Sequence, residues 1–162
     1  MIATKEEILL TIVQKSEEHG LDHQLVMAIA EVESNYNQLA IRYEPNWRYL
    51  KLVGGYALRL GITANTEQIL QSCSLGVLQV MGTKFREHGY VDNLLGIVTD
   101  VGLQVEHGCL ILKELSTRYK NQDDIIAAYN AGSATKIGPV YTNQIYVDKV
   151  KNALNNAQRS II

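Results

Sequence analysis

Little in this chain announces a special class, and what it lacks narrows the field. It has two cysteines and two prolines in 162 residues, and its formal net charge is only −2. Cys73 and Cys109 are too few and too far apart for a metal-ligand pattern, so two reduced, buried thiols are expected, with their pairing left open. Without a basic field there is no general attraction to the phosphate backbone, which argues against nucleic acid as a partner. No run approaches the roughly 20 apolar residues of a membrane span, so no stable membrane insertion is expected. The start, Met1-Ile2-Ala3-Thr4-Lys5-Glu6-Glu7, puts acidic residues where a secretory signal carries positive charge. Synthesis in the cytoplasm without a signal peptide is the expectation. His19, His23, His88 and His107 lack ligand spacing and receive no role.

What remains is globular: 46% hydrophobic and 20% charged residues, with no repeat, linker or low-complexity tract where a second domain could begin. One domain over residues 1–162 is expected. Thr4 and Glu7 form a capping-box pattern, and Ile8, Leu9, Ile12 and Val13 follow at helical spacing until Gly20. This predicts a first helix over about 5–19. Asp22 caps a second, whose apolar stripe runs to about Asn35. From Tyr36 to Gly61 the periodicity fades around Pro45, Gly54 and Gly55, which predicts a long irregular segment with one short helix. Further helices are expected opening at Asn65 with Gln68, from Val77 to about His88, from Asp100 to near Asn121, from Asp123 and Asp124 to Gly132, and from about Asn143 to Ala157. No alternating strand run stands out. The fold class is all-α, with seven to eight helices.

One carboxylate sits on the wrong face. On a wheel of about 100° per residue, Leu25, Val26, Ile29, Ala30 and Val32 share one arc, and Glu33 falls in its middle. Glu31 falls on the opposite side with Gln24 and Met27, where a solvated glutamate belongs. A carboxyl among apolar side chains loses hydration and holds its proton more tightly. That is what a general acid needs in order to protonate a glycosidic oxygen. The alternative is that Glu33, in the last turn, simply reaches water.

Three segments carry a resemblance. Glu33-Ser34-Asn35-Tyr36-Asn37, then Ser74-Leu75-Gly76-Val77-Leu78-Gln79-Val80-Met81, then Ala127-Ala128-Tyr129-Asn130-Ala131-Gly132 are similar, in order, to the Glu-Ser, Gly-Leu-Met-Gln and Ala-Tyr-Asn-Ala-Gly segments of the lytic transglycosylase family. Tyr146-Val147 resembles a fourth, and the match spans roughly residues 21–152. The resemblance implies a lysozyme-like fold with a substrate groove, peptidoglycan glycan strands as partner, and no cofactor or metal. It makes Glu33 the single catalytic carboxylate, acid and then base. It assigns Ser34, Gly76, Gln79, Met81, Tyr129, Asn130 and Tyr146 to the saccharide site. Gly76 and Gly132 can equally serve to end or start helices, and Val80 and Met81 to fill the core.

The sequence also departs from the family. Gln38 and Arg42 stand where the family has Pro and Ser, Thr142 stands where a glutamate is common, and the connection before Gly76 is lengthened, as in phage-encoded members. Trp47, Tyr43 and Tyr49 are candidates for a wall that stacks on sugars, or for packing of the loop. Glu44 is a candidate second carboxylate, or a loop glutamate paired with Arg42 or Arg48.

The expected reaction is cleavage of the bond between N-acetylmuramic acid and N-acetylglucosamine with closure to a 1,6-anhydro end, by a monomeric phage endolysin acting on the wall in the periplasm or from outside. A goose-type-like lysozyme, with Glu44, Asp92 or Asp100 across from Glu33, is the nearest alternative. A non-catalytic wall-binding or phage structural module is the other.

Overall fold

The computed structural model describes the backbone of residues 2–159 and the side chains of residues 2–156. The outermost ends of the expected domain, residue 1 and residues 160–162, lie outside the described residues. The chain is mostly helical, in the order α1 (Lys5–His19), α2 (His23–Ser34), β1 (Ile41–Tyr43), α3 (Val53–Leu60), α4 (Ala64–Gln71), β2 (Cys73–Leu75), β3 (Val80–Met81), α5 (Gly82–Glu87), a 3₁₀ segment (Leu94–Thr99), α6 (Val101–Arg118), α7 (Gln122–Ala131), β4 (Lys136–Ile137), β5 (Val140–Tyr141) and α8 (Gln144–Arg159).

Local chemistry sets most helix ends. Thr4 and Glu7 close the capping box on α1, and Gly20 ends it at φ 67°, the left-handed conformation that glycine adopts without strain. Asp22 caps α2 through the Gln24 N–H, and Asp100 caps α6 through the Leu103 N–H. Two starts lie slightly earlier than the sequence suggested. Thr63 rather than Asn65 caps α4, and Asn121 rather than Asp123 caps α7. In both, the capping oxygen precedes the helix, and the acidic residues fill its first turn.

One apolar cluster, from Ile8 to Leu154, ties the helices together. Ile12, Ile29, Phe85, Val105, Ile126 and Val147 are fully buried within it, each worth roughly 1.5–3 kcal/mol of transfer free energy. The α2 helix packs chiefly on α8, α1 on α6, and α7 on both α6 and α8.

Three sequence expectations need correcting. Strands exist after all: β1, β2 and β3 form an antiparallel sheet with Arg42 opposite Ser74 and Ser74 opposite Met81, and β4 pairs with β5. At two or three residues each, they are too short for alternation to register. The helix expected from Val77 begins only at Gly82. Gly76 (φ 73°) and Gln79 (φ 47°) turn the chain between β2 and β3 instead. Gly54 and Gly55, read as interruptions, lie inside α3. Their low helix propensity is overridden by packing on α4, with Ala57 buried and the Tyr56 ring beneath the Arg86 guanidinium at 4.1 Å.

The α3–α4–α5 region is held by a buried polar knot. Arg86 reaches Glu67 through two bonds, Nε to Oε1 at 2.8 Å and Nη2 to Oε2 at 2.9 Å, and its Nη1 donates to the Tyr90 and Asp92 carbonyls. Gln71 Nε2 donates to Glu67 Oε1, and the Gln71 side chain also exchanges two bonds of 2.7 Å with the backbone of Lys51. The irregular segment after Glu44 is thereby pinned to α4.

Candidate active site

Glu33 lies in the last turn of α2, and the chain stops being helical directly behind it. Asn35 (φ 53°) and Tyr36 (φ 61°) are consecutive left-handed residues, a conformation that side-chain-bearing residues hold only where surroundings enforce it. Ser34 supplies part of that enforcement: its hydroxyl donates to the Val77 carbonyl at 2.8 Å and accepts from the Asn37 N–H at 3.1 Å. The end of α2 is thus bolted to the β2–β3 turn.

That turn is itself braced from below. Gln104, fully buried on α6, accepts from the Val77 N–H at 2.9 Å and donates to the carbonyls of Ile97 and Gln38. A Cβ at Gly76 would stand 2.1 Å from Gln104 Cδ, so only glycine fits there, on both backbone and space. Gln79 completes the turn with its own side chain. Its Nε2 donates to the Ala40 and Gly76 carbonyls, and its Oε1 accepts from Ser74.

Around the Glu33 carboxyl stand two tyrosines. Tyr146 on α8 donates to Glu33 Oε1 at 2.7 Å. Tyr129 on α7 donates to the Leu78 carbonyl at 2.8 Å. Burial holds the Glu33 carboxyl above the usual glutamate range, while the Tyr146 hydrogen bond and the Arg42 guanidinium pull it back down. Burial and the neighbouring Glu33 charge push both tyrosine hydroxyls well up, so they stay protonated and able to donate hydrogen bonds. The wheel placed Glu33 among apolar neighbours, and the carboxyl is indeed mostly desolvated.

A cleft of about 950 Å³ opens beside this carboxyl, lined among others by Glu33, Gln79, Met81, Tyr129, Asn130 and Trp47. Five of the residues expected in the saccharide site thus meet Glu33 there, and Tyr146 meets it through its hydroxyl. Ser34, Gly76 and Tyr43 are not in the lining. Ser34 and Gly76 shape the backbone that carries Glu33 and Gln79, and Tyr43 projects into solvent at 53% exposure. Trp47 is fixed as part of the wall, with Nε1 donating to Thr83 Oγ1 at 2.8 Å and its ring edge-on to Tyr49 at 5.2 Å. Glu44 also lines the cleft and pairs with Arg42 at 2.6 Å. Asp92 and Asp100 do not line it; Asp100 is occupied as the α6 cap.

Nothing in the sequence indicated that Lys84 and Glu87 of α5 and Glu114 and Arg118 of α6 also line the cleft. Glu87 bridges Lys84 at 2.6 Å and Lys51 at 3.3 Å. In the sequence these are ordinary helix-surface charges at i, i+3 and i, i+4 spacing. Both cysteines are free and buried. His88 and His107 hydrogen-bond through their Nδ1 atoms at 3.0 Å, and His19 bonds Glu106. Among the described residues no three His, Cys, Asp or Glu side chains converge to hold a metal ion.

A desolvated, tyrosine-bound carboxyl beside a cleft, on a mostly helical frame, is an arrangement suited to general acid catalysis. Residues 11–148 match the family model described as the transglycosylase SLT domain. The chain belongs to that family: it is a lytic transglycosylase, a lyase acting on peptidoglycan. Searches of curated proteins and of solved structures gave no match.

Proposed function

We propose that this enzyme cleaves the β-1,4 bond between N-acetylmuramic acid and N-acetylglucosamine and leaves a 1,6-anhydro end on the muramic sugar. The observation that carries this reading is the desolvated carboxyl of Glu33 beside the cleft, hydrogen-bonded by Tyr146. Protonated Glu33 donates to the bridging oxygen as the bond breaks, and positive charge develops on the muramic ring. The carboxylate left behind accepts a hydrogen bond from Tyr146, which stabilises it at the moment it forms. It then takes the proton from the 6-hydroxyl of the same ring, whose oxygen closes on the anomeric carbon. Atoms balance without water, and Glu33 ends protonated as it began. Gln79 braces the turn beside the carboxyl, Asn130 offers a hydrogen bond from α7, and Trp47 supplies a flat apolar face for a ring.

Mass spectrometry of digested peptidoglycan tests the reaction. Anhydro ends, lighter by one water than reducing ends, are expected from the enzyme, and Glu33→Gln is expected to release neither while still binding the strand. Reducing ends instead would favour hydrolysis. The reading kept for that outcome rests on Glu44, which shares the cleft and could serve a water if Arg42 released it.

The lengthened connection between Tyr36 and Gly76, similar to that of phage-encoded members, supports a setting in host-cell lysis as an endolysin. There the protein acts as a monomer on the wall, in the periplasm or from outside. Among the described residues no helix is long and apolar enough to cross a membrane.

A further inference from the structure

Asn143, which lies just before α8 and received no role in the sequence beyond the start of that helix, holds Asn130 at the edge of the cleft. Its Nδ2 makes two hydrogen bonds, to the Ala127 carbonyl at 3.0 Å and to Asn130 Oδ1 at 2.9 Å. The first bond decides the second. A backbone carbonyl can only accept, so the edge of Asn143 facing Ala127 must be its NH2. The remaining N–H of that group then points at Asn130, which must answer with its oxygen. Asn143 Oδ1 is buried and finds no partner, so the side chain is held by its nitrogen alone.

The consequence falls on Asn130. An exposed asparagine amide ordinarily turns over at small cost, offering either its donor or its acceptor edge to a ligand. Here its oxygen is engaged on the α8 side, while the residue lines the cleft beside Glu33 and Tyr129. We infer that Asn143 is a positioning residue that locks the Asn130 amide with its NH2 toward the substrate, making this point of the cleft a hydrogen-bond donor that selects an acceptor oxygen of the glycan. The inference rests on the reading of the cleft as the glycan site. The carbonyl of Asn143 also accepts from the Tyr146 and Val147 N–H groups at 2.9 and 3.3 Å. The same residue therefore starts the helix that carries Tyr146 to Glu33.

Steady-state kinetics on soluble glycan fragments test this with Asn130→Ala, Asn143→Ala, Asn143→Asp and the double alanine variant. Asp keeps the shape and the capping preference of Asn but faces both acceptors with oxygen, so Asn130 must turn over and show the cleft its own oxygen. Each single variant is expected to raise KM about fivefold with kcat within about twofold, the fold-change of one neutral hydrogen bond. The double alanine variant is expected to be no worse than Asn130→Ala, because Asn143 acts through Asn130. Thermal unfolding of each variant separates a misfolded protein from a disoriented amide, and Asn143→Asp remains informative should Asn143→Ala prove unstable. An unchanged KM in folded Asn143→Asp, beside a raised KM in Asn130→Ala, overturns the inference. An unchanged KM in Asn130→Ala itself removes the underlying assignment of Asn130 to the glycan site.

Discussion

Replacing Arg86 by Met keeps an aliphatic stem of similar length and removes a charge that has no exposed side-chain surface. Four hydrogen bonds disappear, two to Glu67 and two to the carbonyls of Tyr90 and Asp92, together with the guanidinium stack on Tyr56. Far more serious is what stays behind, because Glu67 is equally buried and keeps a carboxylate with only Gln71 to answer it. Removing one member of a buried pair costs about 3–5 kcal/mol, a large part of the 5–15 kcal/mol that holds a typical domain folded. For a chain of this size the melting temperature is expected to fall by roughly 6–20 °C. Removing the stranded charge as well, in Glu67→Leu/Arg86→Met, is expected to recover more than half of the loss, since a buried ion pair replaced by apolar groups is often neutral. Circular dichroism melts and urea titrations of the parent, both single variants and the double variant decide it. The reasoning fails if Arg86→Met unfolds within about 1 kcal/mol of the parent, or if the double variant loses the sum of the two singles. The cleft should register the change too, because the Lys51 and Thr83 attachments that hold Trp47 in the wall both run through Gln71.

Three more outcomes follow from the site. Burial makes Glu33 titrate higher in the folded chain than in the unfolded one, so between those two values the folded chain binds the extra proton and stability falls as pH rises. Glu33→Gln, neutral throughout, is therefore expected to match the parent near pH 4 and exceed it at pH 7, by about 1.4 kcal/mol for each pH unit between the two titrations; urea midpoints that coincide at pH 7 speak against a desolvated carboxyl. Tyr146→Phe removes a hydrogen bond that favours the ionised form, so the alkaline limb of the pH profile of kcat/KM is expected to move upward, and a limb that stays or moves down contradicts the assignment. Gly76→Ala meets both a left-handed backbone and Gln104 at 2.1 Å, a combined cost of about 2–5 kcal/mol in a urea titration, and a neutral substitution would mean that Gln104 does not brace the turn.

How much of this was written in the sequence differs from element to element. The ends of α1 and α2 and the start of α6 were legible because their caps act over three or four residues, whereas α6 stops at Arg118, short of the expected Asn121; the helical stripe along α2 was enough to single out Glu33 from Glu31. The turn at Gly76–Gln79 was misread as helix, since Val77, Leu78, Val80 and Met81 suit a helix and only the left-handed backbone, braced by Gln104 from 27 residues away, excludes it. Gly54 and Gly55 misled in the opposite sense, because packing on α4 outweighs their propensity.

The order and spacing of the motifs, the caps and the apolar stripes are local properties of the chain, and they alone determined a helical domain with one misplaced carboxyl. Only the folded arrangement decided what surrounds that carboxyl: Tyr146 arrives from 113 residues away to bond it, and the Arg42 charge acts on it from a strand too short to announce itself. The physical reason is range. Capping and periodicity are settled within a turn or two of helix, whereas desolvation and hydrogen-bond polarity are properties of a place in space that several distant segments must build together.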